Sequence, residues 1–259
     1  WRGDIDGAAD LVEEIVRIHG FDHLPVMALP RTHAVSQPAV NPAQLRPLQL
    51  RRALAECGLM EAVTFSFLAP KEAALFGGGA AALTLVNPIS ADLSVMRPSA
   101  LPNLLQAAGR NQDRGEADCA LFETGPVFLG DEPTDQRTAC AGIRHGYTAP
   151  REWHDERRIV DVFDAKSDAE MALGVLGVRK ASLSVDEAAP DYFHPGRSGI
   201  LTQGRTKLAS FGELHPNIAS HFSLRGPVVG FELFLDDVPL AKAKGSARSF
   251  LKMSPFQPV

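Results

Sequence analysis

The 259-residue chain has no apolar run near the roughly 18 residues that a membrane-spanning helix needs. Its opening does not resemble a signal peptide, because Asp4, Asp6 and Asp10 stand where basic residues would precede an apolar stretch. A soluble, untargeted protein is expected. Cysteine is scarce: Cys57, Cys119 and Cys140 are widely spaced and form no CxxC pair, so free and mostly buried thiols in a reducing cytoplasm are expected. Basic excess is also lacking. With 26 Lys+Arg against 31 Asp+Glu the formal charge is -5, which leaves no nucleic-acid footprint over the whole chain. GxxxxGK[ST], GxGxxG and GxSxG are absent, and no cysteine sits beside a candidate base, which removes the usual phosphate cradles and nucleophile arrangements. Lys252-Met253-Ser254 matches part of a class I synthetase signature, but Pro255 breaks it and no companion motif exists.

Apolar residues make up 45% and charged residues 22%, close to globular averages, so global disorder and a fibrous chain are poor readings. The length suits one large domain or two smaller ones. The acidity is local, since residues 1–25 carry only Arg2 and Arg17 against Asp4, Asp6, Asp10, Glu13, Glu14 and Asp22.

Leu11, Val12, Ile15, Val16 and Ile18 recur at helical spacing before Gly20, which predicts a helix over 6–19. Such a helix cannot bury its apolar face alone, so it is expected to close a domain whose larger part lies upstream. Pro25, Pro30, Pro38, Pro42 and Pro47 then mark an extended connector, placed over 26–42. Beyond it, helices are predicted over 43–57, 99–113, 167–177 and 215–222. Strands are predicted at Val63, Phe65 and Phe67 and over 82–86, 92–97, 119–128, 138–144, 158–163, 198–203, 206–212 and 227–235. Gly77-Gly78-Gly79 reads as a loop, and Gln203-Gly204-Arg205 as the tip of an antiparallel hairpin. The expected fold is α+β, an antiparallel or mixed sheet flanked by helices.

On the opening helix Asp10 neighbours Glu13 and Glu14 by the i,i+3 and i,i+4 rule, with Asp4 just before. Like charges so placed need compensation. A hard cation such as Mg²⁺ would supply it; a solvated acidic helix start is the other reading. The His194-Pro195 and His215-Pro216 steps, with Glu213 nearby, lack metal-ligand spacing and read as a turn and a helix start.

Several longer strings resemble one family in order: Trp1-Arg-Gly-Asp-Ile-Asp, then Ala9-Asp-Leu-Val-Glu-Glu-Ile-Val-Arg-Ile-His-Gly-Phe-Asp-His-Leu-Pro25, Glu61-Ala-Val-Thr-Phe-Ser-Phe67 and Val86-Asn-Pro-Ile-Ser90. Met96-Arg-Pro-Ser99, Asn111 with Arg114-Gly115, Leu121-Phe-Glu-Thr-Gly125, Phe193-His-Pro-Gly-Arg197 and Met253-Ser-Pro-Phe256 follow. Together they resemble the bacterial phenylalanyl-tRNA synthetase beta subunit. The resemblance implies the end of a winged-helix-like domain over 1–25 and a class II synthetase-like but non-catalytic module over 43–259. It implies Mg²⁺ on Asp4, Asp10, Glu13 and Glu14, shared with an alpha subunit that binds ATP and carries the chemistry. It also implies an alpha2-beta2 heterotetramer charging tRNA(Phe) in the cytoplasm, with no membrane partner.

Leu121-Phe-Glu-Thr-Gly matches the strand of class II motif 2, but Cys119 and Ala120 stand where an ATP-binding arginine would precede the glutamate. No catalytic residue and no cofactor-binding residue is therefore assigned to this chain. Asn103 replaces a glycine usual in the family and is expected to alter the turn after Met96-Arg97-Pro98. The competing readings are a stand-alone nucleic-acid-binding module, against which the acidic first 25 residues argue, and a metal-dependent hydrolase, for which no acid/base set is visible near Glu14.

Overall fold

The computed structural model describes residues 2–27, 39–149, 152–153 and 157–240. Most of the expected linker and the Lys252 to Phe256 motifs lie outside the described residues. The chain divides into two compact units, Trp1–Val40 and Asn41–Val259.

The first unit holds α1 (Ala8–His19), which stops at Gly20, where φ is +104° and a side chain would be strained. None of its residues is buried, and Leu11, Val12, Ile15 and Ile18 are exposed.

The second unit begins with α2 (Pro42–Glu56). Asn41 caps it by accepting from the Gln44 N–H, Gln44 answers at the Asn41 N–H, and Pro42 starts the first turn. Next come β1 (Met60–Glu61), β2 (Phe67–Leu68), α3 (Pro70–Leu75), β3 (Val95–Met96) and α4 (Leu101–Asp113). The long strands β4 (Cys119–Phe128) and β5 (Gln136–His145) precede α5 (Val162–Val175). The remainder is β6 (Ser184–Asp186), β7 (Phe193–Gln203), β8 (Thr206–Leu214), α6 (Pro216–His221) and β9 (Val228–Phe234).

Seven strands form one mixed sheet in the order β1-β4-β5-β9-β8-β7-β6, antiparallel except for the parallel β1–β4 pair. The hairpin tip between β7 and β8 is Gly204-Arg205, with Gly204 in the left-handed region. Strand alternation gives each face its own core. On one face Leu50 and Leu54 of α2 and Ala169 and Leu173 of α5 pack with Phe122, Cys140, Phe231 and Leu233. On the other Leu101, Leu104 and Leu105 of α4 and Ile218 of α6 pack with Leu121, Ile143, Phe193 and Val228.

Three predicted strands are corrected. At 158–163 only an isolated Tyr147–Ile159 bridge forms, because Asp161 caps α5 through the Phe163 N–H while Asp164 accepts from the Asp161 N–H and pairs with Arg158. That local capping starts the helix five residues before the predicted 167. At 82–86 the chain makes a short 3-10 turn over Ala81–Leu83. At 63–67 the alternation is real but reversed: Val63 is 89% and Phe65 62% exposed, while Thr64 turns inward to Glu123. Strand β6 and helix α3 were not anticipated; both are short and carry no strong period.

All three cysteines are free; Cys57 is exposed and the others buried. Burial pushes the Cys119 thiol up to about 11 and the Cys140 thiol up to about 12. Thiol alkylation of the native chain is expected to label Cys57 alone, with Cys119 and Cys140 reacting only after denaturation. Rapid native labelling at two or more cysteines, read by mass spectrometry, contradicts this packing.

Candidate functional site

The densest buried polar cluster lies on the α4 face of the sheet. Strand register places Glu123 beside Ala141, Ala141 beside Glu232, Glu232 beside Ser210 and Ser210 beside Ile200, so these five form one row across the sheet. Two of the five are buried carboxylates, and both act on the segment 97–100 that leads into α4.

Arg97 is almost wholly buried. Its Nη1 donates to Glu123 Oε1 at 2.8 Å and to Thr64 Oγ1 at 3.0 Å, and its Nε donates to the Pro126 carbonyl at 2.8 Å. Thr64 Oγ1 in turn donates to Glu123 Oε2 at 2.6 Å. The charge is thus both paired and hydrogen-bonded, the condition under which a buried ion is tolerated. Gly125 is needed here, since a Cβ would lie 2.7 Å from Arg97 Nη2.

Glu232 has neutral partners. Its Oε1 accepts from Ser99 Oγ at 2.8 Å and from the Ala100 N–H at 3.0 Å, serving the start of α4, and Tyr192 and Ser210 line a cavity with it. Burial outweighs these donors and pushes the Glu232 carboxyl above its ordinary range. Asn103 lies in the first turn of α4 rather than in a turn after Pro98, and its Nδ2 donates to the Phe65 carbonyl at 3.1 Å.

The four carboxylates predicted to hold Mg²⁺ are occupied otherwise. Asp10 Oδ2 accepts from the N–H groups of Asp6 at 3.0 Å and Gly7 at 2.8 Å, capping α1 and holding its carboxyl below the ordinary range. Asp4 and Glu14 share Arg2, at 2.5 and 3.0 Å, and Glu14 also meets Arg17 at 2.9 Å; these cations lower both carboxyls. Glu13 is exposed. The compensation expected from a cation comes from two arginines and the helix start. Among the described residues no group of three or more His, Cys, Asp or Glu is gathered to hold a metal.

The histidine steps behave as a turn and a helix start. His194 Nδ1 accepts from the Gly196 N–H within a bulge of β7, and His215 Nδ1 accepts from the Asn217 N–H at the start of α6. On β4, Cys119 and Ala120 pack in the cores. Arg144, across from Ala120, is bound by both oxygens of Asp168, at 2.7 and 2.9 Å.

Residues 27–235 match the family model described as the phenylalanyl tRNA synthetase beta chain CLM domain. The chain belongs to that family. The beta subunits of phenylalanine–tRNA ligase from Paramagnetospirillum magneticum and Rhodospirillum rubrum are each 50% identical to it over its whole length. The chain spans 32% of each of those proteins, about a third of a beta subunit. Among solved structures, the pyrrolysyl-tRNA synthetase PylSc of Desulfitobacterium hafniense aligns with a TM-score of 0.57 at 15% identity, covering 89% of this chain and 71% of that one. A second structure of the synthetase from that organism gives 0.56 at 16%, covering 89% and 74%. The beta-chain module therefore has the α+β fold of a class II synthetase core.

Thr64, Arg97, Ser99 and Glu123 stand in the sequence only as parts of matching strings, and Glu232 and Tyr192 belong to none of them. A charged residue inside an otherwise apolar strand, as Glu232 is in Val228–Phe234, was the available signal. Replacing Arg97 with Met strands the Glu123 charge and is expected to cost about 3–5 kcal/mol of unfolding free energy. Adding Glu123→Leu should restore part of that loss. Urea unfolding of both variants reads the difference, and a double variant no more stable than the single one refutes this assignment of the cost.

Proposed function

We propose that this chain is the non-catalytic core module of a phenylalanine–tRNA ligase beta subunit, and that it supports ATP-dependent charging of tRNA(Phe) by assembling with a catalytic alpha subunit. The observation that carries the non-catalytic reading is the internal commitment of the buried Arg97, just after β3, and of the half-buried Arg137 and Arg144 of β5. Arg97 serves Glu123, Arg137 serves Asp237 and Arg144 serves Asp168, which leaves none of the three aimed at a triphosphate. Adenylate formation needs cations placed where phosphate charge develops. In this reading ATP and phenylalanine bind the alpha subunit, tRNA(Phe) binds the assembled cytoplasmic heterotetramer, and residues 1–25 finish a winged-helix-like domain. Among the described residues no helix is long and apolar enough to cross a membrane.

Mg²⁺ shared with the alpha subunit enters this proposal on two conditions. Arg2 must leave Asp4 and Glu14, and Asp10 must release the start of α1, before the four carboxylates can face one cation.

Exposed apolar surface supports assembly. Leu50 and Leu54 of α2 are buried, but Leu45 and Leu48 remain 43% and 42% exposed, and Val63, Phe65, Val86 and Ile89 also face solvent. Obligate interfaces are apolar and large, on the order of 2,000 Å² or more.

Two outcomes are expected. ATP–pyrophosphate exchange with phenylalanine is absent from the purified chain; robust exchange without alpha subunit overturns the non-catalytic reading. Changing Leu45 and Leu48 to Asp abolishes co-elution with a co-expressed alpha subunit in size-exclusion chromatography while circular dichroism stays unchanged. Undiminished co-elution sends the interface elsewhere.

A further inference from the structure

Beside the start of α4 a cavity of about 470 Å³ opens over β7, β8 and β9. That volume is in the range of small-molecule sites, which run from roughly 300 to 1,000 Å³. Pro190, Ile200 and Phe234 provide apolar wall, while Tyr192, Ser210 and Glu232 bring polar atoms together on it. The register explains the convergence: Ile200, Ser210 and Glu232 stand side by side on adjacent strands, and Tyr192 lines the same cavity.

The hydrogen bonds to the Glu232 carboxyl come from neutral donors, Ser99 Oγ and the Ala100 N–H, and Tyr192 lines the same cavity. Arg97, the cation that bears on it, is committed to Glu123. A buried carboxylate without its own ion pair, bordering an apolar cavity, is the complement of a small cation with an apolar body. At the rim, Asp237 is bound by Arg137 at 2.6 Å, whereas Lys207 is exposed and repels a second positive charge.

We propose that this cavity binds a small organic monoamine, its ammonium group on Glu232, Tyr192 and Ser210 and its apolar body along Ile200, Pro190 and Phe234.

The test titrates the full chain with 2-phenylethylamine, 2-phenylethanol and phenylacetate, which share a body and differ in charge, by calorimetry and ligand-observed NMR. The amine is expected to bind roughly tenfold or more tightly than the alcohol, the gain of a charge-assisted hydrogen bond, with no binding of the anion. Glu232→Gln keeps an acceptor for Ser99 and should erase the preference for the amine. Because that variant also touches the start of α4, Ala188→Trp at the exposed rim provides the second arm: it should block all three ligands at an unchanged melting temperature. Equal binding of amine and alcohol, no detectable amine binding, or unchanged binding by the Ala188→Trp variant each overturns the proposal.

Discussion

The segment 97–100 is held between two carboxylates buried on one row of the sheet, and the layout of the α4 face follows from that hold. Glu123 and Glu232 flank Ala141, on adjacent strands to either side, so the same short segment can answer both. It does so in two chemistries. Arg97 meets Glu123 with a full charge, whereas Ser99 and the Ala100 N–H meet Glu232 with neutral donors at the start of a helix. Arg97 also reaches the Pro126 carbonyl and Thr64, and its backbone bonds Ser66 and Phe128. One side chain and its peptide groups thus tie together the loop at 62–66, the end of β4 and the entry to α4. Ala141 between the carboxylates is fully buried, which lets α4 lie close over the row.

This arrangement bears on what the fold can do. A class II-like sheet that performs adenylation must present cations to an anionic substrate, and a cation can be so presented only if it is not already neutralised in place. Here the glutamate of the Leu121-Phe-Glu-Thr-Gly string is turned to architecture, as the partner of Arg97. The position of Ala120, where an arginine would be expected, has Arg144 across the strand pair, already held by Asp168 of α5. Ion pairs of this kind add little net stability, because desolvation offsets most of their attraction, yet removing one partner strands a buried charge. A sheet of this type used for assembly can commit its charges in that way.

Legibility in the sequence followed the physics of each signal. Strand β4 was read at its true bounds, and β5, β7, β8 and β9 were located to within a few residues, because long apolar runs between turn residues have little other use. Helix α2 was located through its leucines, and α5 was started late because its cap is a set of side-chain bonds among Arg158, Asp161 and Asp164 that hydrophobic period does not register. The carboxylate cluster on α1 was visible as a repulsion needing an answer, but not which answer, since Arg2 reaches it only once the preceding turn is folded. Glu232 was passed over because a single acid in an apolar strand has no periodicity, and its partners lie 133 and 132 residues away.

The reversed segment at 62–66 shows why pattern alone could not orient it. Alternation separates two faces of a strand but leaves open which one meets the core, and a one-residue shift exchanges them. Glu123 decides the matter: drawing Thr64 inward gives the buried carboxylate a hydroxyl donor, which neither Val63 nor Phe65 could supply. Asn103 fixes the same orientation by holding the Phe65 carbonyl. Val63 and Phe65 are therefore exposed as a consequence of an internal polar bond, on backbone pinned at both ends. Backbone held in this way loses little conformational entropy when another surface covers its apolar side chains, which favours their use at an interface.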